Sequence, residues 1–399
     1  MKRTLVIAAL AASFAAAVIA YLSVIQMPMT TSDEAGLVRL GHLLVSDPAT
    51  WVRRLALPGE WIRWPGHLST AIHVRLWGDN IIGWRISLLV LHLTNCLLIL
   101  AFVRSLVGRA APAVAAAALF AIWPAGFHAV AWMPALFDLS FVTAMLVTLW
   151  AWAKWRLHNR TWAYPACLVA FCIALVSKET AVLLLGSLAL AEWLIAPRPR
   201  RWAQLAPFAG AEVLYVIYAV VHFTGAFRAT PGLHRWPNLL ANVGHSFGFG
   251  LSFLSVALIV VVLALMICAP RRLLLWAVAS TALVAAPPAF AAWLGGMSSW
   301  YLYAPSVFAV VAIAVGVNIR LTPIVLMVWS LAFAQLSVNL SDWHRQQSMV
   351  CPSAGAETLR FLSAHQWDCP CTMFPAGRRF FLSHSAPPKR VVTAKSSGS

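Results

Sequence analysis

The chain has 399 residues, of which 61% are hydrophobic and only 10% charged, and its mean hydropathy is +0.79. Soluble domains carry roughly 25% charged residues, so the composition excludes an ordinary soluble domain and indicates a polytopic membrane protein. The formal net charge of +17 lies mostly in loops between apolar runs. Topology and anionic lipid account for such charge, and no nucleic-acid-binding motif accompanies it.

Apolar runs recur along nearly the whole chain and predict an all-α polytopic membrane fold of about eleven transmembrane helices. Residues 1–340 form the predicted membrane body, and 341–399 form a partly disordered extracytoplasmic tail. The first run is too long for a typical signal peptide and lacks a convincing cleavage site, so we expect a retained helix. The predicted spans are 4–26, 81–103, 111–126, 138–154, 162–177, 180–196, 203–222, 246–268, 273–294, 303–319 and 321–340.

The basic residues between the spans predict the orientation. With a cytoplasmic N-terminus, most arginines of the short loops fall on the cytoplasmic side, as the positive-inside rule requires. The loop 27–80, the Lys178 turn, the loop 223–245 and the tail then face outward, which suits a bacterial inner membrane with a periplasmic tail. The tail would then lie in an oxidising compartment, where Cys351 can form a disulfide with Cys369 or Cys371.

The long first extracytoplasmic loop, 27–80, contains "WVRRLALPGEWIRWPGHLSTAIHVRLWGDN". Trp, Leu, Ile and Arg recur there at roughly helical spacing, which predicts helices in the interface plane that form a lid. The loop also carries five arginines and five acids: Arg39, Arg53, Arg54, Arg63, Arg75, Asp33, Glu34, Asp47, Glu60 and Asp79. Either the charges balance in a solvated surface, or some arginines hold an anionic substrate.

Two adjacent acids, Asp33 and Glu34, follow the first span directly. A carboxylate at the membrane boundary can accept a proton from an attacking hydroxyl, which is general-base catalysis. The alternative is that "SDE" caps the next helix, with Ser32 or Asp33 as the N-cap.

A second charged pair, Lys178 and Glu179, lies between two apolar spans in "ALVSKETAVLL". Ionisable residues at such positions are functional candidates. Lys178 suits a phosphate, and Glu179 suits either that lysine or a sugar hydroxyl. The alternative is an ion pair that satisfies itself in a tight turn.

A third group, His128, Trp132 and Asp138, surrounds another outward turn in "FAIWPAGFHAVAWMPALFDLSF". Aromatic rings beside polar groups suit sugar recognition, although a lone histidine is more often structural. Within the second span, His92 and Asn95 are expected to hydrogen-bond to neighbouring helices.

Six stretches, in this order, resemble the C-type multi-spanning glycosyltransferases (GT-C), and most closely the protein O-mannosyltransferase-like group. They are "SDE", "RWPGHLSTAIHVRLWG", "LHLTNCLLIL", "LFAIWPAGFHAVAWMPALFDLSF", "ALVSKETAVLLL" and "WYLYAPSVF". The resemblance implies sugar transfer from a polyprenyl-phosphate donor to a glycan, glycolipid or protein on the outer face.

The resemblance also implies roles for individual residues. The acidic motif of the family corresponds to Asp33 and Glu34, with Asp33 as the base. A leaving phosphate needs cations, which gives Arg63 and Lys178 a role. Substrate-binding positions follow at His128, Trp132, Asp138, Glu179, Tyr301 and Tyr303. No cofactor and no metal are indicated.

The chain departs from the family pattern in two places. Trp300 stands where relatives often have Arg, and Trp123 stands where they often have His. No tetratricopeptide pattern follows residue 340, so we expect no repeat domain to recruit the acceptor. Two alternatives to a transferase stay open: a transporter or flippase for lipid-linked sugars, and a non-catalytic partner of such a transferase.

Overall fold

The computed structural model describes residues 3–27, 29, 32–47, 49–51, 63–124, 127–222, 270–293, 299–315 and 322–350. Within these ranges every regular element is a helix, in agreement with the predicted all-α fold. The predicted span 246–268, the loop 223–245 and the three tail cysteines lie outside the described residues.

Thirteen α-helices are defined in the described part of the chain. In order, α1 to α13 are Arg3–Ile25, Ser32–Ser46, Trp64–Trp77, Ile81–Val107, Ala110–Ala121, His128–Ala131, Leu136–His158, Ala163–Leu175, Leu184–Leu194, Ala206–His222, Arg271–Trp293, Tyr303–Val315 and Thr322–Val350. Short 3-10 helices precede four of them, at Met133–Ala135, Glu179–Leu183, Trp202–Leu205 and Ser299–Leu302.

Four elements in the described ranges are long and apolar enough to cross a membrane. They are Ala8–Ile25, Ile81–Val107, Met133–His158 and Trp202–Val221. Each of the other predicted spans within the described residues also coincides with a helix, but several of these helices are short. Membrane crossing by four helices is therefore supported, and the count of about eleven stays a prediction.

The core of the bundle is built around α4 and α7. These two helices pack against each other, α5 packs on α4, and α8 packs on α7. In addition, α1 contacts α5 and α13, and α11 contacts α9 and α12. Fully buried apolar side chains such as Trp84, Phe102, Phe141 and Trp152 fill the interior. The buried cysteines Cys96 and Cys167 carry free thiols in this core.

Two described helices of the first loop, α2 and α3, pack against each other. Gly41 makes this contact close, because a Cβ there would lie 2.3 Å from Cγ2 of Val74. An apolar stripe on α3 is exposed, formed by Trp64, Leu68, Ile72 and Leu76. This spacing of four residues puts the stripe on one helix face, as expected for a helix lying in a membrane interface.

The last helix, α13, continues through Val350, ten residues past the predicted end of the membrane body at 340. Hydropathy ends the span at 340 because polar residues follow, but polar residues can continue a helix in water. The exposed ion pair between Asp342 and Arg345, one turn apart at 2.7 Å, is of the kind that supports such an extension.

Several helices are too short, as described, to cross a bilayer on their own. The helices α5, α8 and α12 have 12, 13 and 13 residues, or about 18–20 Å at about 1.5 Å per residue. A hydrocarbon core is about 30 Å thick. The turn that follows α8 meets the turn that precedes α12, where Lys178 contacts the ring of Tyr301.

Candidate functional site

Two ion pairs form the centre of the candidate site. Nη2 of Arg63 donates to both carboxylate oxygens of Glu179, at 2.9 and 2.8 Å. Nζ of Lys178 donates to the buried carboxylate of Asp138. Because Lys178 and Glu179 are consecutive, the pairs join into one charged cluster (Arg63, Asp138, Lys178, Glu179). With two cations and two anions, the cluster is formally neutral.

Arg63 reaches the cluster because α3 approaches α7 closely. Pro65 lies in the first turn of α3, where its missing N–H costs no hydrogen bond. Next to it, a Cβ on Gly66 would lie 2.0 Å from Cδ1 of Phe137, so only glycine fits there. The guanidinium of Arg63 then lies over the Phe137 ring, 5.8 Å from its centroid.

Lys178 lies in a break between two helices. Its backbone is extended, with φ −159° and ψ 142°, between the end of α8 at Leu175 and the 3-10 helix that begins at Glu179. The ammonium group also contacts the ring of Tyr301 at 4.8 Å from the centroid, a cation–π contact. Tyr301 thus joins the cluster from the turn before α12.

Pairing offsets the cost of burying these charges. Burial alone would lower the pKa of Arg63, but Glu179, with smaller effects from Asp138 and Tyr301, raises it above its ordinary value. Burial alone would raise the pKa of Glu179, but Arg63 and Lys178 lower it. Both groups therefore stay charged at neutral pH.

The adjacent acids Asp33 and Glu34 have different environments. Glu34 is buried, its Oε1 lies 3.3 Å from Nη2 of Arg85, and it accepts a hydrogen bond from the Met133 N–H at 3.4 Å. Asp33 is exposed, yet surrounding protein atoms remove part of its hydration and raise the pKa of its carboxyl group. Of the two, Asp33 is the one a solvent-borne substrate can reach.

Arg85 ties three elements together around these acids. Besides Glu34, its guanidinium donates to the carbonyl oxygens of Val24, at 2.8 Å, and Met27. These carbonyls lie at and just after the end of α1, where backbone oxygens lack partners within the helix. Arg85 therefore fixes the end of α1 and the start of α2 to α4.

The start of α2 and the start of α3 attach to the same short stretch, 133–138. Glu34 binds the backbone of Met133, Arg63 lies on Phe137, and Asp138 belongs to the charged cluster. Asp33 is thus held at the same end of the bundle as the cluster.

The predicted substrate residues His128 and Trp132 lie on one turn beside this stretch. The Trp132 N–H donates to the His128 carbonyl at 2.9 Å, and both side chains are half-buried. The His128 ring contacts Phe127 and, edge-on at 4.2 Å between centroids, Trp343 of α13. Desolvation lowers the pKa of His128 to about 3, so its imidazole is neutral.

Tyr303, by contrast, is buried in a hydrogen-bond network with His92 and Asn95. Nε2 of His92 lies 3.1 Å from the Ala121 carbonyl, which can only accept, so Nδ1 accepts from the Tyr303 hydroxyl at 2.8 Å. Nδ2 of Asn95 donates to the same hydroxyl, and Thr143 donates to the Asn95 side-chain oxygen. The expected helix-to-helix hydrogen bonds of His92 and Asn95 are confirmed.

The structure adds three residues that the sequence reasoning missed. Phe137 lies under Arg63, Arg85 pairs with Glu34, and the buried Tyr215 of α10 interacts electrostatically with Glu179 and Arg63. Of these three, only Arg85 could have been recognised from the sequence, because an arginine inside an apolar span needs a partner.

No group of three metal-ligating side chains exists among the residues that the structure describes. What the fold and site define is a helical membrane protein with a paired charged cluster and aromatic side chains gathered at one end of its bundle.

Comparison with known families indicates which kind of membrane protein this chain resembles. Residues 66–224 match the family model described as dolichyl-phosphate-mannose-protein mannosyltransferase. The match supports a membrane glycosyltransferase of the GT-C type and agrees with the predicted resemblance to mannosyltransferases. It includes Asp138, Lys178 and Glu179 but not Asp33 or Arg63. No curated protein matches the chain.

Proposed function

We propose that the protein is a membrane glycosyltransferase that moves a sugar from a polyprenyl-phosphate donor to a hydroxyl acceptor on the extracytoplasmic face. The acceptor is a glycan, a glycolipid or a protein. The single observation that carries the proposal is the charged cluster beside the start of α2 in a chain whose residues 66–224 match the mannosyltransferase family.

The donor phosphate is proposed to bind at Arg63 and Lys178. Among the described residues, Arg63 pairs with Glu179 and Lys178 pairs with Asp138, and the two cations would offset the charge of a leaving phosphate. Glu179 and Asp138 would then hold the cations in place, so that little reorganisation is needed when the phosphate arrives.

Asp33 is proposed as the general base. It takes the proton from the acceptor hydroxyl while the hydroxyl oxygen bonds to the anomeric carbon. The bond from that carbon to the phosphate oxygen breaks, and polyprenyl phosphate leaves with the electron pair. A raised pKa brings Asp33 closer to the working pH and makes it a better base than an ordinary aspartate.

Glu34 is proposed as a positioning residue, because its buried carboxylate is engaged by Arg85 and Met133. The aromatic side chains of Tyr301 and Trp132, with His128, are proposed to contact the sugar. The role of Tyr303 is proposed to be indirect, through the helices that its network joins.

The orientation is also a proposal. Arg63, Asp138 and the Lys178 turn lie at one end of the bundle, and most arginines of the short loops are predicted at the other. The positive-inside rule supports a cytoplasmic N-terminus and an extracytoplasmic site, which suits a bacterial inner membrane.

A second candidate, a non-catalytic partner of a transferase, is favoured by one observation. Both cations already have a carboxylate partner, and the cluster has no net charge to attract a phosphate. A single assay separates the candidates, including the transporter alternative.

The assay uses full-length protein in proteoliposomes that contain polyprenyl-phosphate mannose with a radiolabelled sugar, in a buffer with cell-envelope extract as acceptor. A transferase forms labelled product and releases unlabelled polyprenyl phosphate, and Asp33→Asn abolishes both. Label that moves across the bilayer without a new glycosidic bond would identify a transporter. Protein that does neither with any of a panel of polyprenyl-phosphate hexoses would favour the non-catalytic partner.

A further inference from the structure

We infer that the end of the bundle opposite the candidate site carries a binding site for an anionic phospholipid. Asp138 and Arg156 both lie on α7, about 27 Å apart at about 1.5 Å per residue, close to the thickness of a hydrocarbon core. The charged cluster and the region around Arg156 therefore fall near opposite membrane faces.

An apolar groove at that end has the shape for an acyl chain. It has a volume of about 440 Å³ and is lined by Gly186, Ala189, Leu190, Trp193 and Trp202. The first four recur at helical spacing on one face of α9, so the groove runs along that helix toward the middle of the membrane. At its charged end, Trp193 and Trp202 are 61% and 48% exposed, which suits tryptophans at a membrane interface.

A basic rim, formed by Arg198, Arg200 and Arg201, lies at the same end of the groove. Nη2 of Arg200 donates to the Trp193 carbonyl at 2.6 Å, which places the rim directly beside the groove. Arg200 is half-buried, and its Nη1 atom is buried without a hydrogen-bond acceptor among the described residues. Arg198 and Arg201 are exposed.

A buried ion pair holds the rim in place. Nε and Nη2 of Arg156 donate to the two carboxylate oxygens of Glu192, at 2.8 and 2.6 Å. The same Nη2 lies within 3.4 Å of the carbonyls of Pro197 and Pro199, and Glu192 accepts the Arg201 N–H at 2.7 Å. The loop 197–201, which carries the rim, is thus attached at three points to the ion pair of Arg156 and Glu192, whose side chains are 2% and 1% exposed.

This arrangement explains why the loop's charge is available to a ligand. The carboxylate of Glu192 is engaged inside the bundle by Arg156 and the Arg201 N–H, while the side chains of Arg198 and Arg201 are exposed at the surface. A lipid that places its phosphate on the basic rim and one acyl chain in the groove matches both surfaces. A zwitterionic lipid carries the same phosphate, but its cationic headgroup offsets the attraction to the basic rim.

The test measures lipid retention by native mass spectrometry of the full-length protein, titrated with phosphatidylglycerol or with phosphatidylcholine of identical acyl chains. Wild-type protein should prefer phosphatidylglycerol by at least about fivefold, the effect expected for one arginine near an anionic headgroup. Arg198→Gln with Arg201→Gln should remove the preference. The control, Arg104→Gln with Arg109→Gln, removes two exposed charges from the end of α4 and the turn after it, at the same end of the bundle, and should keep the preference.

A groove variant tests the acyl-chain contact separately. Ala189→Trp fills the groove and should weaken retention of both lipids equally. Equal loss of preference in the rim variant and the control would overturn the site in favour of general attraction. Displacement of the lipid by soluble glycerol phosphate, or a second copy of the chain covering the groove in lipid-free protein, would overturn it as well.

Discussion

The adjacent carboxylates Asp33 and Glu34 offer the sharpest contrast, because the same small change should have different effects at each. Glu34 and Arg85 are 1% and 2% exposed. Removing one partner of a buried ion pair costs about 3–5 kcal/mol. Glu34→Gln keeps an acceptor oxygen for the Met133 N–H but leaves the Arg85 charge buried without a carboxylate. We expect a loss near the lower limit, about 3 kcal/mol in the free energy of unfolding.

Asp33→Asn is the matched control. Its side chain is exposed, so the free energy of unfolding should change by no more than about 0.5 kcal/mol, while sugar transfer is lost. Equilibrium unfolding in mixed micelles, followed by tryptophan fluorescence, measures the first quantity, and donor consumption measures the second.

A double variant tests whether the lost free energy of unfolding comes from the ion pair between Glu34 and Arg85. In Glu34→Gln with Arg85→Met, no charge stays buried, so the combined loss should be smaller than the sum of the single losses by about 0.5–3 kcal/mol. It should not vanish, because the carbonyls of Val24 and Met27 lose their donor. Additive losses, or equal stability of Glu34→Gln and Asp33→Asn, would refute the ion-pair reasoning.

Three further predictions concern the site. Gly66→Ala should lower the free energy of unfolding by about 1–3 kcal/mol and lower activity, because its Cβ would overlap the ring beneath Arg63. The control Gly36→Ala has open space around it and should be neutral or stabilising. Similar losses in both variants would contradict a close approach at Gly66. Lys178→Met should raise the donor KM, and adding Asp138→Asn should restore stability but not affinity; an unchanged KM would rule out a phosphate role. Activity should fall with acidification as Asp33 takes up a proton, at a pH above that expected for an ordinary aspartate, and no such fall would exclude it as the base.

Individual charged residues were the most informative part of the sequence. Lys178, Glu179 and Asp138 stand out because ionisable side chains are rare in apolar spans, and the structure brings them together with Arg63. The pairing itself could not be foreseen. Arg63 and Glu179 are 116 residues apart in the chain, and no local pattern joins residues at that separation.

Helix ends and buried ion pairs were harder to predict from the sequence. A single Arg85 scarcely alters the mean hydropathy of α4, a helix of 27 residues, so averaging over the span concealed it. Hydropathy also cannot tell a helix of 12 or 13 residues from a full span when apolar turn residues follow, as after α5 and α8. The meeting of the turns after α8 and before α12 at the site therefore appears only in the structure.

Cells that lack the gene provide the most direct test of the central claim that Asp33 serves transfer from a lipid-linked donor. Mass spectrometry of their surface glycans, glycolipids and glycoproteins should show the loss of one hexose. Wild-type protein should restore that hexose, whereas Asp33→Asn, present in the membrane at the same level and equally stable, should not. Full restoration by Asp33→Asn would contradict the account.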